Sequence, residues 1–128
     1  MKKLLFVAAL FAATVVHADQ TPTKPFFASQ PAEEYVFIAA SMADMLTTLD
    51  IKHHPNQYET NFLIGPHPND ATIVGYFVGV EALHAGVTYM LVNGDAPKWV
   101  VKVWEYSTIG IETGAAVHNW RMGLRFSL

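Results

Sequence analysis

The stretch ATIVGYFVGVEALHAGVTYMLV, residues 71–92, carries two ionisable side chains, Glu81 and His84, near its middle. As a helix rising about 1.5 Å per residue it would cross the roughly 30 Å of a bilayer's hydrocarbon core. An ionisable group at that depth is costly unless other polar groups come to meet it. This segment therefore needs either polar partners from elsewhere in the chain or an aqueous setting. Two other segments have similar length: AEEYVFIAASMADMLTTLDI at 32–51 and WVVKVWEYSTIGIETGAAVHNW at 99–120. Each is also interrupted by charge, the first by Asp44 and Asp50, the third by Lys102, Glu105 and Glu112.

A soluble three-helix domain is the rival reading, and composition weighs against it. Charged residues make up 15% of the chain, against about 25% in soluble domains. Glu33, Glu34, Asp50, Lys102 and Glu105 lie toward segment ends, where long side chains are expected to reach the interface. Aromatic residues gather near the ends as well: Tyr35, Phe37, Tyr76, Tyr89, Trp99, Trp104 and Trp120. Gly75, Gly79, Ala82 and Gly86 share one helical face, and Gly110 and Gly114 form a second small pair. In lipid, such faces let helices approach closely. The expected fold is all-α, a signal peptide followed by a three-helix transmembrane bundle. The alternating tail WRMGLRFSL would suit a barrel strand, but VEALHAGV and ADMLTTLDI do not alternate as a barrel requires.

The N-terminus reads as a processing segment. Lys2 and Lys3 precede an apolar run, and Val16-His17-Ala18 resembles a cleavage site, which gives a signal peptide over 1–18. A proline-rich lead-in, 19–31, is expected to be extended or loosely ordered. The membrane domain then covers 32–128. Export places the N-terminus in the periplasm, so the C-terminus falls in the cytoplasm and the location is a bacterial inner membrane. Arg121 and Arg125 after the third segment agree with the positive-inside rule. There is no cysteine, which excludes disulfides and thiolate metal sites. The net charge of -3 offers no basic patch for nucleic acid.

Polar residues form one stripe per helix. Asp44, Thr47 and Thr48 share a face, as do Glu81, His84 and Thr88, and Glu105, Thr108, Glu112 and Asn119. Turned inward, these stripes would gather Asp44, Thr48, Glu81, His84 and Glu112 into an intramembrane cluster. Carboxylates so placed share protons, bind a cation, or act as polar glue between helices. No cofactor is required, but a divalent metal could draw ligands from Asp44, Glu59, His84, Glu112 and His118. His118 is turned from Glu112 by about a third of a circle at 100° per residue. No nucleotide-binding, zinc-protease or serine-hydrolase motif is present.

The loop KHHPNQYETNFLIGPHPND is stiffened by Pro55, Pro66 and Pro68. Its Tyr58, Phe62, Leu63 and Ile64 are expected to pack back on the bundle or dip into the interface. Together with the preceding helix it resembles a motif of small uncharacterised polytopic membrane proteins of bacteria and their phages. That motif reads Asp-x-x-x-Thr, then Glu-x-Asn-Pro, then Gly-x-His-Pro. It falls here on Asp44, Thr48, Glu59, Asn61, Gly65, His67 and Pro68, with Phe62 in the usual proline position. The resemblance covers residues 32–126 and implies an integral helical fold without implying an activity.

Three functions are compatible with this pattern. The favoured one is a non-enzymatic membrane protein that binds or modulates other membrane components, its partners being the lipid bilayer and either further copies of itself or another membrane protein. A second is an intramembrane metal- or proton-dependent enzyme or ion site built on Asp44, Glu81, His84 and Glu112. The third is a pore or lysis-type assembly.

Overall fold

A computed structural model describes residues 25–126. The expected signal peptide, 1–18, and the first half of the lead-in, 19–24, lie outside the described residues. Three α-helices account for most of the remainder: α1, Ala32–Thr48; α2, Asp70–Asn93; and α3, Lys98–Arg121. No strand occurs among the described residues. The chain is all-α, as its periodicity predicts.

Local chemistry sets the helix ends. Pro31 and Pro97 stand just before α1 and α3, where a missing N–H costs nothing. Asn69 caps α2, its side-chain oxygen accepting from Thr72 N–H at 2.9 Å. α1 ends at Thr48, three residues earlier than expected. Thr47 Oγ1 donates back to the carbonyls of Ala43 and Asp44, and the chain tightens into a 3-10 helix, Leu49–His53. Gly94 ends α2 at a point where a Cβ would stand 2.8 Å from the Met90 carbonyl.

α3 closes in a Schellman motif. Gly123 has φ +97 and donates to Trp120 O at 3.1 Å, and Leu124 N–H reaches Asn119 O at 3.0 Å. The alternating tail is therefore a helix cap and not a strand, and it turns Leu124 fully into the interior. Arg125 N–H then donates to Asp50 Oδ2 at 2.9 Å, tying the end of α3 to the end of α1.

End contacts give the topology. Glu33 of α1 pairs with Lys102 of α3 at one end, and Asp50 meets Arg125 at the other, so α1 and α3 run parallel. α2 runs against both: Asn93 donates to Ser29 Oγ at the first end, and Lys52 pairs with Asp70 at the second. α1 and α3 share the most extensive interface. A small apolar core of Leu49, Ile73 and Phe77 sits at the loop end, with Met45, Leu46, Ile64 and Tyr76 packed on it. Elsewhere the interior mixes buried apolar side chains, Phe37, Val87, Leu91 and Leu124, with many polar ones. Glu34, Ser41, Thr47, Thr48, His84, Thr88, Glu105 and Asn119 are all buried, while Val36, Met42, Val78, Leu83, Val103 and Ile111 face outward.

Several expectations change. Residues 25–31 of the lead-in are not loose: a 3-10 helix, Phe26–Ser29, lies on α2, with Phe26 against Tyr89 and Gln30 Nε2 bonded to Ala85 O. The loop tip does not pack back, since Tyr58, Phe62 and Leu63 point outward and Ile64 alone of the four joins the core. The small-residue stripe is not a seam between these helices. Gly75, Gly79 and Ala82 are exposed, and a Cβ built on Gly75, Gly79, Gly86, Gly110 or Gly114 meets nothing within 4 Å.

Two outcomes follow for the purified protein. Gly123→Ala forces an L-residue into the left-handed region and should cost about 1–2 kcal/mol in equilibrium unfolding. Gly79→Ala meets open space and should be neutral or stabilising by up to about 1 kcal/mol. Asp50 provides a pH test. The hydrogen bond from His53 Nδ1, at 3.0 Å, and then the Arg125 N–H hold its carboxyl below the usual range. A depressed folded-state value means that its contribution is complete above the unfolded value, about 3.9, and is lost as pH falls through the folded one. Thermal melts from pH 6 to pH 3 should therefore show wild type losing its advantage over Asp50→Asn at the acid end.

Candidate functional site

The three helices meet at one imidazole. His84 projects from α2 and is 3% exposed. Its ring is stacked on Phe37 of α1, with centroids 3.6 Å apart, and lies beside Trp104 of α3 at 5.0 Å. Nδ1 lies 3.1 Å from Glu34 Oε2, and Nε2 lies 2.8 Å from Thr108 Oγ1. Thr108 is placed to donate its own hydroxyl hydrogen to the carbonyl of Trp104 or Glu105, each at 2.9 Å. It therefore accepts from His84, which puts a proton on Nε2. The Nδ1 contact then needs one more proton, shared between His84 and Glu34. The pair is either imidazolium with carboxylate or neutral imidazole with carboxylic acid.

Glu105 completes the group. It is fully buried, with Oε1 accepting from Thr88 Oγ1 at 2.8 Å, while Trp104 Nε1 donates to that same hydroxyl at 3.1 Å. Its other oxygen, Oε2, lies 4.0 Å from His84 Nε2 and has no hydrogen-bond partner. Glu34 Oε1 is likewise buried without one. One donor atom each from Glu34, His84 and Glu105 falls within 4.8 Å of the other two.

A second polar layer lies about 15 Å farther along α1, ten residues on. Asn119 of α3 directs its amide at three acceptors on α1: Asp44 Oδ1 at 2.9 Å, Thr47 Oγ1 at 3.1 Å and Thr48 Oγ1 at 3.2 Å. Glu59 and Glu112 lie within electrostatic reach of Asp44. Glu112 in turn faces Glu81 and His84, which links the two layers. In the loop, Glu59 Oε1 accepts from Asn61 N–H at 2.8 Å, and Glu59 N–H closes on Pro66 O at 3.0 Å.

The structure thus gathers the expected Asp44 and Thr48 in one layer, places His84 in the other, and sets Glu81 and Glu112 between them. It does not draw the expected ligands Asp44, Glu59, His84, Glu112 and His118 into one compact set. Among the described residues the group with ligand spacing is Glu34, His84 and Glu105, and His118 is exposed. Glu34, Asp50 and Glu105 were expected to reach the interface and are instead buried. Lys102 and Glu33 do pair near the surface. Distance from a segment end was the wrong criterion for them. The missed signal is a seven-residue repeat: Glu34, Ser41 and Thr48 on α1, and Glu105, Glu112 and Asn119 on α3. That repeat keeps a residue facing its neighbours in a left-handed bundle.

Fold and site together define an all-α bundle with an ionisable interior. Comparison of the chain with protein-family models, curated proteins and solved structures returns no match.

The Glu34–His84 contact can be measured by a double-mutant cycle. Glu34→Gln and His84→Gln should each destabilise the protein, and the pair should show a coupling energy of about 0.5–3 kcal/mol in thermal or denaturant unfolding. Strict additivity would mean that the two side chains do not interact.

Proposed function

We propose that the protein is a three-helix integral membrane protein of the inner membrane that binds or modulates and does not catalyse. The observation that carries this reading is its inverted polarity. The acidic residues in the middle of the helices, Asp44, Glu81, Glu105 and Glu112, are buried or half-buried, as is Glu34 in the first turn of α1. The exposed ionisable residues of the helices, Asp70, Lys98, Lys102, His118 and Arg121, lie within the first or last turns or just inside them. Between those ends the outward faces are uncharged, built from residues such as Val36, Met42, Val78, Leu83, Tyr106, Ile111 and Val117. A water-soluble bundle has the opposite arrangement.

α2 is long and apolar enough to cross a bilayer by length and composition. α3 has the same 24-residue length, and α1, at 17 residues, spans roughly 25 Å. Exposed aromatics support the reading at both ends: Tyr35 and Trp99 at one, and Tyr58, Phe62, Trp120 and Phe126 at the other.

Binding is favoured over catalysis by the small size of two clefts beside the buried residues. The cleft bordering His84 and Glu112 holds about 110 Å³, and a second one between α1 and α3 about 250 Å³. Sites for small organic molecules run to about 300–1,000 Å³.

Alkaline carbonate extraction of membranes is the direct test. The protein should remain in the pellet, and release to the supernatant would overturn the reading. The chain has no cysteine, so Phe62→Cys and Asp95→Cys can each serve as a single label site. An impermeant maleimide should reach Cys at 95 from the periplasm and Cys at 62 only after the membrane is opened.

A further inference from the structure

We propose that Glu34, His84 and Glu105 bind one divalent first-row transition-metal ion, of the class of zinc or manganese. Three side chains from three different helices converge here, which sequence proximity cannot explain. Each supplies a donor within 4.8 Å of the other two. Donors bound to one such ion at about 2.0–2.2 Å lie roughly 3–4 Å apart. The Glu34–His84 separation of 3.1 Å is already in that range, and the remaining donors need to close by no more than about 1–2 Å.

Two oxygens are aimed and unused. Glu105 Oε2 belongs to a fully buried side chain, has no hydrogen-bond partner, and stands 4.0 Å from His84 Nε2. That separation is too long for a hydrogen bond. The oxygen is therefore buried with its lone pairs unused. Glu34 Oε1 is also buried and without a partner.

The surroundings match what a bound ion requires. Thr88 holds the other Glu105 oxygen, and Trp104 holds Thr88, so the carboxylate is oriented from behind. Nδ1, with Glu34 Oε2 at 3.1 Å, is the nitrogen that can take an ion together with Glu34, and Nε2 keeps its proton on Thr108, which fixes the ring from behind. On binding, the proton shared between Nδ1 and Glu34 is released. A largely apolar cleft of about 110 Å³, lined by Phe37, Leu83, Trp104 and Ile111 with Thr108 and Glu112, reaches His84 from outside and gives an ion a way in. Charge balances too, because a divalent cation neutralises two carboxylates where an imidazolium neutralises one. Imidazole with two carboxylates is a nitrogen–oxygen donor set suited to zinc, manganese or iron(II).

The test uses the full chain in detergent, purified without a polyhistidine tag and titrated separately with Zn²⁺, Mn²⁺ and Co²⁺. Elemental analysis after gel filtration should find one equivalent of metal per chain, and the Co²⁺ form should show visible d–d bands. Glu34→Gln and Glu105→Gln, nearly isosteric changes checked for helicity by circular dichroism, should each weaken binding at least tenfold and alter those bands. Asp44→Asn, in the other layer, should leave affinity within about twofold. Three results would overturn the proposal: no retained equivalent in wild type, equal retention by both Gln variants, or loss of the metal on replacing His53 and His54 in the loop. Membrane extraction plays no part in this measurement, so the site and the membrane reading fail separately.

Discussion

The contact between Glu34 and His84, extended through Thr108, joins α1, α2 and α3 at a single ring. An apolar seam tolerates rotation of a helix about its axis, because one methyl group replaces another at little cost. A buried imidazole hydrogen-bonded on both sides does not, since a turn of any helix strands at least one polar group. Buried ion pairs are weak evidence of net stability but can specify a unique arrangement. Here the specification reaches far. Once His84 is fixed, the seven-residue spacing brings Ser41 and Thr48 inward on α1, and Glu112 and Asn119 inward on α3. The second layer of Asn119 with Asp44, Thr47 and Thr48 then forms in register with the first.

The helices were legible because hydrophobic length and breaker residues are local properties. Asn69, Pro97 and Gly94 mark ends that the structure reproduces within a residue or two. Asp44, Glu81, His84 and Glu112 were legible as an inward stripe. Glu105 stood on the stripe of the third segment but was left out of the cluster, and Glu34 was on no stripe, because depth was judged from the ends of the segments. A carboxylate in the first turn of a helix looks free to reach water, and only a neighbour that claims it shows otherwise. Sequence spacing does not supply that neighbour. His84 lies 50 residues from Glu34. The glycine stripe, expected to pack helices within one chain or between copies, does not pack them within the chain, for the complementary reason. Small residues at intervals of three and four define a face but not what lies opposite it, and in this chain the face of Gly75 and Gly79 looks outward.

The same inversion governs the surface. With the polar residues gathered inside, each helix is left to present Val, Leu, Ile, Met and aromatic side chains outward, and water gives such a surface no return. Lipid would, and in the proposed bilayer setting the polar interior would be the main force between helices, because apolar contact with a neighbour gains little over contact with acyl chains. The small apolar core of Leu49, Ile73 and Phe77 sits at the loop end, where the 3-10 turn of α1 has a conventional anchor. Asp50, bonded to His53 and to the backbone of Arg125, closes that end.

Charge distinguishes the two layers. Besides Asp50 at the loop end, five carboxyl groups of the α-helices, Glu34, Asp44, Glu81, Glu105 and Glu112, are buried or half-buried around one imidazole. The basic residues of the helices stand near their ends, where Lys102 is already engaged by Glu33. Five ionised carboxylates around one imidazolium in a low-dielectric interior would repel strongly, so the bundle must take up protons or cations. The Asn119 layer can manage with protons, because its amide hydrogens serve Asp44 whether or not that carboxyl is ionised. The His84 layer differs. It offers a nitrogen donor, and two of its four carboxylate oxygens lack a hydrogen-bond partner. A proton satisfies one oxygen at a time, whereas an ion satisfies several at once from a single position. Of the two layers, the His84 layer is therefore the one whose geometry is better completed by a cation than by a hydrogen.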